Sequence, residues 1–193
     1  MKLILASSSI YRAQQLQSIG LSFTATPPLV NEEELKSDSL SPAELCSFLA
    51  QEKAESLRDQ YPEAWILGGD QLVELDGKIL GKPGDAAGAF DQLSQLQGRE
   101  HQLLTAIFLS GPNQGFNHLD KTRLSMKALK EHEISAYILK DQAFDCAGSY
   151  KLEKAGICLF HRIESEDFTA IQGLPLIAIT NLLQQAGFPL PFV

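Results

Sequence analysis

The sequence WILGGDQLVELDGKILGKP, residues 65–83, decides the fold of this chain. It opens with an apolar run, continues through the glycine pair Gly68 and Gly69, and reaches a carboxylate at Asp70. An apolar run followed by glycines predicts a buried strand whose end a ligand or another backbone can approach closely. We therefore expect a rigid strand that delivers Asp70 to an edge.

The second half of this segment predicts a β-hairpin, because Asp76-Gly77 lies between short alternating runs. The returning chain would bring Lys82 back to the neighbourhood of Asp70. A carboxylate and an ammonium on one rim suit a metal-bound phosphate ester, since the carboxylate can hold a hard cation or accept a proton from water while lysine neutralises phosphate oxygens. A strand-terminal aspartate capping a turn and a solvated lysine fit the segment equally well.

Composition narrows the class of protein. The 193 residues suit one domain, or two closely packed lobes, with ample length for a core. The apolar content of 44% and charged content of 21% are those of a globular protein. A formal charge of −8 argues against a broad nucleic-acid or anionic-membrane surface, although a small basic pocket for an anionic ligand remains compatible with it.

Cysteine spacing predicts a reducing compartment. Cys46, Cys146 and Cys158 lie far apart without CxxC spacing, which indicates buried or neutral thiols rather than a disulfide framework or a zinc site. The apolar run at the start of the sequence is too short for a signal peptide, and no later stretch approaches the length of a membrane span. We expect a cytoplasmic protein.

The first 20 residues form a candidate anion cradle. A buried strand over residues 2–6 leads through three serines, beginning with Ser7, into a helix over residues 11–19 that carries Arg12 in its first turn. Backbone N–H groups and hydroxyls at such a helix start face an incoming phosphate, and arginine adds a bidentate contact. A serine N-cap with a surface arginine is an equally good interpretation.

The next part of the chain combines acids with a helix signature. The acidic run from Glu32 to Asp38 predicts a solvated loop from which one carboxylate could meet a cation. Ser41 and Glu44 form a capping box that predicts a helix to about residue 61. Lys53 on this helix is either a solvated lysine or a phosphate ligand.

The remaining segments predict an α/β protein with a mixed sheet, since strands and helices alternate around a hairpin. They are strands over residues 21–26, 101–110, 122–126 and 156–163, and helices over residues 85–96, 131–139 and 174–185.

Four separated segments together resemble the Maf family of nucleotide pyrophosphatases along nearly the whole chain. They are LILASSSIYR (3–12), AQEKAESL (50–57), GGDQLVELDGKILGKP (68–83), and CAGSYKLEKAGICLF followed by IQGLPL (146–160 and 171–176). The GDQ form, where many members have ADT, and the AGSYKLE stretch resemble the subfamily that hydrolyses 7-methyl-GTP. The resemblance implies one Maf-like domain over residues 1–193, with the elongated fold of two lobes around a central cleft that the Maf and ITPase proteins share, and a homodimer.

The resemblance also implies a set of site residues. Asp70 would be the catalytic proton acceptor for water, and it would hold Mg²⁺ or Mn²⁺ together with Glu32. The residues expected around the phosphates are Ser7, Arg12, Lys53 and Lys82. Those expected to select the base are Tyr11, Gln71 and Glu153.

Two positions of the first motif depart from the family pattern. Ile10 stands where the first motif usually has proline, and Ala13 stands where a second arginine is often found. One phosphate contact is therefore expected to be missing or to come from another side chain.

The implied activity is that of a hydrolase acting on acid anhydrides, which converts 7-methyl-GTP to 7-methyl-GMP and diphosphate and removes modified nucleotides from the pool. N7-methylation makes the purine cationic, which would favour stacking on Tyr11 and a carboxylate from Glu153, and Gln71 offers a donor and an acceptor to a base edge. The alternatives are a dTTP/UTP pyrophosphatase of the same family, a phosphatase releasing orthophosphate, and a non-catalytic nucleotide-binding regulator of cell division.

Overall fold

The computed structural model describes residues 1–35 and 39–189, apart from the side chain of Glu33. The strands are β1 (Leu3–Ala6), β2 (Thr24–Thr26), β3 (Trp65–Leu75), β4 (Lys78–Leu80), β5 (Glu100–Ser110), β6 (Gly115–Met126) and β7 (Phe160–Glu164). The α-helices are α1 (Ile10–Ser18), α2 (Glu32–Leu35), α3 (Pro42–Glu55), α4 (Ala86–Leu96), α5 (Glu131–Asp141) and α6 (Leu176–Gln185). Short 3₁₀ helices cover Ala147–Ser149, Ala155–Leu159 and Phe168–Gln172.

These elements confirm the predicted α/β class with a mixed sheet. The strand order is β2-β1-β3-β5-β6-β7, and β4 pairs with β3 outside this path. β1 runs parallel to both β2 and β3, whereas β4 is antiparallel to β3 and β7 is antiparallel to β6. No helix among the described residues is long and apolar enough to span a bilayer.

The chain divides into two compact units. Unit 1 comprises Met1–Asp70, Thr105–Asp120 and Asp167–Val193, and unit 2 comprises Gln71–Leu104 and Lys121–Glu166. The chain first passes from unit 1 to unit 2 inside β3, between Asp70 and Gln71. The arrangement of two lobes around a cleft stays a prediction.

The core of unit 1 lies on both faces of its parallel strands. Leu3, Leu5 and Leu67 join one buried cluster with residues of α1 and α6. Ile4 and Ile66 join another with Ala54 of α3 and with Leu57, which follows that helix. The alternation follows the two-residue period of a strand, and burial on both faces explains why the sequence reads as a continuous apolar run. Each fully buried aliphatic side chain contributes about 1.5–3 kcal/mol.

Helix α3 begins as predicted and ends earlier. Ser41 and Glu44 form the capping box, with the Ser41 N–H donating to Glu44 Oε2 over 2.9 Å. After Glu55 the chain tightens into i−3 turns, and the Arg58 guanidinium donates to the carbonyl oxygens of Tyr61 and Ala64 over 3.1 and 3.0 Å. These bonds satisfy backbone groups after the helix, so the predicted continuation to residue 61 is wrong.

The acidic run is partly helical rather than a loop. Glu32 begins α2, a single turn in which the Asn31 side chain donates to Glu34 Oε1 over 2.6 Å. Asp38, which the predicted loop also included, lies outside the described residues.

The hairpin in unit 2 is confirmed. Asp76 and Gly77 both have positive φ, 51° and 79°, as a type I′ turn requires. The register pairs Val73 with Leu80 and Leu75 with Lys78.

The structure changes the predicted starts of two strands, β6 and β7. β6 begins at residue 115 rather than 122, because a strand of alternating half-buried and exposed residues carries little apolar signal in its first half. Residues 155–159 form a 3₁₀ helix rather than the start of a strand, and β7 begins only at Phe160. Asp85 caps α4 as predicted, accepting the Gly88 N–H over 2.8 Å.

Candidate active site

Asp70 lies in the interior of a strand rather than at its end. β3 continues without interruption from Trp65 to Leu75, so the prediction that a strand delivers Asp70 to an edge is wrong in that detail. The neighbouring strand β1 stops at Ala6, which is paired with Gly68. Asp70 therefore lies beyond the last residue of β1, where the neighbouring strand no longer covers it.

Gly68 brings helix α3 against β3. A Cβ atom at this position would lie 2.1 Å from the carbonyl oxygen of Ala50 and 2.8 Å from the backbone nitrogen of Ala54. Only glycine permits this approach of strand to helix. The sequence left open whether a ligand or another part of the backbone approaches the glycine pair closely. At Gly68 it is the backbone of α3 that does so.

The close approach of α3 to β3 brings the Lys53 side chain into contact with Asp70. Lys53 Nζ donates to Asp70 Oδ1 over 2.6 Å, and it lies 2.9 Å from Glu32 Oε1 on α2. Lys53 and Asp70 are 6% and 5% exposed, so the solvated-lysine interpretation is wrong. One ammonium thus links two carboxylates, of which the Glu32 side chain is 48% exposed.

The second carboxylate oxygen of Asp70 has no protein partner among the described residues. Asp70 Oδ2 is buried and accepts no hydrogen bond. A buried carboxylate oxygen is normally satisfied, and an unsatisfied one is typical of a site that awaits a ligand, water or ion.

The carboxylates of Asp70 and Glu32 fit a divalent cation. Mg²⁺ is usually held by one or two carboxylates, with waters and substrate phosphates completing its octahedron. Asp70 Oδ2 is free to supply one such contact. The described residues contain no cluster of three or more histidine, cysteine or acidic side chains that could hold a metal ion.

Arg12 braces the backbone next to Asp70. Its Nη1 donates to the carbonyl oxygen of Gly69 over 2.7 Å, and its Nε donates to the carbonyl oxygen of Gly173 over 3.2 Å. Burial lowers the pKa of Arg12, while the charge of Asp70 opposes this change. Arg12 is half-buried, so the surface-arginine interpretation is wrong, and its remaining N–H groups are the ones that could reach a phosphate.

The serine loop is a capped helix start as well as a candidate cradle. Ser9 is the N-cap of α1 and accepts the Arg12 N–H over 3.4 Å. Ser7 is buried, and its Oγ accepts the Ser9 N–H over 3.1 Å. The N-cap interpretation is therefore confirmed, and phosphate binding by Ser7 stays a prediction.

Sequence reasoning missed the thiol beside the ion pair. Cys46 lies buried on α3, and burial together with the charge of Asp70 raises its pKa to about 12. The thiol is neutral, as the cysteine spacing predicted. Nothing in the sequence near Cys46 signalled its proximity to Asp70, because the contact depends on the packing of α3 on β3.

The other predicted site residues have separate environments. Tyr11 is half-buried in the first turn of α1 in unit 1, and Gln71 is half-buried on β3 as the first residue of unit 2. Lys82 is exposed in the segment after β4, and Glu153 is exposed between two short 3₁₀ helices. Their convergence on one nucleotide stays a prediction.

Comparison with known proteins places the chain among its relatives. A family model described as Maf-like protein matches residues 2–186. A 7-methyl-GTP pyrophosphatase from Bdellovibrio bacteriovorus is 45% identical over 186 residues, which cover 96% of this chain and 97% of that protein. Proteins of the same name from Xanthomonas oryzae pv. oryzae and Cupriavidus pinatubonensis are 45% and 40% identical, covering 98% and 97% of this chain and 99% and 94% of their own.

Among solved structures, a HAM1 protein from Coxiella burnetii covers 96% of this chain and 99% of its own, with a TM-score of 0.48 and 15% identity. The family model and the near-full-length relatives agree with the resemblance carried by the four sequence segments. The chain belongs to the Maf family.

Proposed function

We propose that this chain hydrolyses the bond between the α- and β-phosphates of 7-methyl-GTP, giving 7-methyl-GMP and diphosphate. Relatives that are 45% and 40% identical over nearly their full length bear the name 7-methyl-GTP pyrophosphatase. The observation that carries the proposal is the buried carboxylate of Asp70, which is held through Oδ1 by Lys53 and has its other oxygen unpartnered.

Asp70 is the proposed proton acceptor. Lys53 fixes the carboxylate through Oδ1, so Oδ2 is the oxygen that orients water and takes its proton. Since Oδ2 is shielded from solvent, the water has to be one held inside the site rather than bulk water. The α-phosphorus is the electrophile, and diphosphate leaves.

The proposed phosphate ligands are the cationic groups and the serine loop. Arg12, Lys53 and Lys82 would offset charge on the phosphate oxygens as the bond breaks, and Ser7 would donate through its hydroxyl. A Mg²⁺ or Mn²⁺ held by Asp70 and Glu32 would supply Lewis-acid stabilisation of the same oxygens and lower the pKa of a bound water.

The proposed base-selecting residues are Tyr11, Gln71 and Glu153. N7-methylation gives guanine a positive charge, which favours an aromatic face and a carboxylate. Glu153 is exposed, so its carboxylate is available to a ligand.

A nucleotide panel with identification of the leaving group tests the proposal. The purified chain is given 7-methyl-GTP, GTP, dTTP and UTP with Mg²⁺, and kcat/KM and the released phosphate species are measured. We expect diphosphate and the highest kcat/KM with 7-methyl-GTP, and loss of turnover with EDTA that Mg²⁺ restores. Preference for dTTP or UTP would reassign the substrate, orthophosphate would indicate a phosphatase, and no turnover of any nucleotide would favour the non-catalytic regulator.

The homodimer and the cytoplasmic location that the sequence predicts also stay proposals. Sedimentation equilibrium at micromolar concentration measures the first directly, since a dimer would have twice the chain mass of 21.2 kDa.

A further inference from the structure

The segment that carries Glu153 is closed into a tight turn. The carbonyl oxygen of Lys151 accepts the N–H groups of Lys154 and Gly156, each over 3.1 Å. A Cβ atom at position 156 would lie 2.4 Å from that carbonyl oxygen, so only glycine permits the closure. Residues 151–156, which we call the Glu153 turn, therefore have a defined shape.

Helix α5 holds both ends of the Glu153 turn through two side chains. The Tyr137 hydroxyl accepts the Lys151 N–H over 3.0 Å, and Asp141 Oδ2 accepts the Gly156 N–H over 3.1 Å. Tyr137 and Asp141 are four residues apart on α5, where side chains share a face. The two ends of the turn are thus held by side chains on one face of α5.

The two α5 side chains that hold the turn are buried. Tyr137 and Asp141 are 7% and 8% exposed. Burial raises the pKa of the Tyr137 hydroxyl, and the negative charge of Asp141 acts in the same direction, so the hydroxyl stays protonated. Burying a carboxylate and a phenol is unfavourable unless each is hydrogen-bonded, and the backbone N–H groups of Gly156 and Lys151 supply one bond to each.

The start of the turn is also held from outside α5. Lys151 is 7% exposed, and its Nζ lies 2.9 Å from Asp145 Oδ1, whose side chain is 62% exposed. The hydrogen bond from Lys151 lowers the pKa of Asp145. Glu153 itself takes no part in this scaffold and is exposed at the turn, where the scaffold fixes its backbone without using its carboxylate.

We propose that Tyr137 and Asp141 are positioning residues for base selection, acting through the Glu153 turn. The inference rests on the proposed function, since it takes Glu153 as the carboxylate that meets the cationic base. A charge pair is sensitive to separation, so a turn held at both ends discriminates a methylated from an unmethylated guanine better than a mobile one. Neither Tyr137 nor Asp141 is required to touch the nucleotide.

The test compares Tyr137→Phe and Asp141→Asn with a matched control. Tyr61→Phe also removes a tyrosine hydroxyl, which is hydrogen-bonded to Thr26 Oγ1 over 3.2 Å and to Gln60 Nε2 over 3.4 Å, and it does so in unit 1. We expect Tyr137→Phe to lower the ratio of kcat/KM for 7-methyl-GTP to that for GTP by about tenfold, chiefly through KM for 7-methyl-GTP. Tyr61→Phe should leave the ratio unchanged.

A double-mutant cycle with Glu153→Gln separates positioning from a general loss of structure. If Tyr137 acts through Glu153, Tyr137→Phe has no further effect on the ratio once Glu153→Gln is present. Independent, multiplicative effects of the two substitutions would overturn the proposal.

Amide hydrogen exchange tests the turn without any assay of turnover. Tyr137→Phe should increase exchange at the amides of Lys151 and Gly156, and Tyr61→Phe should not. Unchanged exchange in Tyr137→Phe would overturn the inference whatever the activity. Increased exchange in a chain whose wild type has no preference for 7-methyl-GTP would instead mean that the proposed substrate is wrong, and with it the role in base selection.

Discussion

Lys53 Nζ and Asp70 Oδ1 are 2.6 Å apart and buried, and helix α3 and strand β3 supply one partner each. An ion pair out of solvent is rigid but not necessarily stabilising, because desolvation of both charges opposes their attraction. What it provides here is a fixed carboxylate orientation, with one oxygen engaged and the other available.

Lys53→Met should destabilise the protein strongly. The substitution leaves Asp70 as an uncompensated buried charge, a situation that typically costs about 3–5 kcal/mol. Urea unfolding measures the change in the free energy of unfolding. The matched control is Glu32→Gln, which removes the other carboxylate on Lys53 but at a half-exposed side chain, and which should change the free energy of unfolding by less than about 1 kcal/mol. Equal stability of Lys53→Met and the wild type would contradict the ion pair.

Asp70→Asn should abolish turnover while the fold remains. The amide cannot accept a proton from water, and loss of the base and of the carboxylate charge together should lower kcat on the order of a thousandfold. Diphosphate release from 7-methyl-GTP measures the rate, and circular dichroism checks the fold. Asp59→Asn, at an exposed aspartate of unit 1, serves as the control. Release by Asp70→Asn at a rate near that of the wild type would remove Asp70 from the mechanism.

Gly68→Ala should separate α3 from β3. The added methyl group would meet the backbone of Ala50 and Ala54, which cannot move away as a flexible side chain can. We expect a loss of about 3 kcal/mol or more in the free energy of unfolding. At Gly81 a Cβ meets nothing within 4 Å, so Gly81→Ala should change stability by no more than about 0.5 kcal/mol. Chemical denaturation of Gly68→Ala and Gly81→Ala measures the difference in stability. Equal denaturation midpoints for the two variants would refute the close approach of α3 to β3.

Acid should weaken the protein through His101. Burial lowers the pKa of His101 from 6.5 to about 4, and its Nε2 lies 3.1 Å from the Tyr150 hydroxyl. Between these two values the unfolded chain binds a proton that the folded chain does not. The contribution of His101 to the free energy of unfolding should therefore be constant above pH 6.5. As the pH drops towards 4, the free energy of unfolding should fall by on the order of 3 kcal/mol.

Unfolding curves from pH 7.5 to 4 measure this loss. His101→Gln should flatten the dependence, whereas His161→Gln, at an exposed histidine, should retain it. A slope that is the same in wild type and His101→Gln would assign the acid sensitivity to other groups.

The parts of the fold that the sequence predicted well are those with local causes. The capping box of Ser41 and Glu44, the Asp76-Gly77 turn and the N-cap at Asp85 each depend on residues within one turn of the chain. The buried strands were likewise recognisable from short apolar runs. Family resemblance then singled out Asp70 and Lys53, which the structure brings together.

The parts that could not be predicted depend on contacts far apart in the chain. The hydrogen bonds from Arg12 to the carbonyl oxygens of Gly69 and Gly173 join residues 57 and 161 positions apart. The 3₁₀ helix that replaces the start of the predicted strand over residues 156–163 follows from the closure of Gly156 on Lys151 and its bond to Asp141. No periodicity or turn signal records such pairings.

Because β3 continues unbroken past Asp70, the number of residues in this strand is more tightly constrained than the identity of each residue. Consecutive strand residues point to opposite faces, so Asp70 and Gln71 are aimed apart by geometry alone. A substitution in this segment alters one side chain, whereas an insertion or deletion of a single residue would invert every side chain that follows it. Among descendants of this sequence, indels in residues 65–75 should therefore be eliminated far more strictly than exchanges of one residue for another.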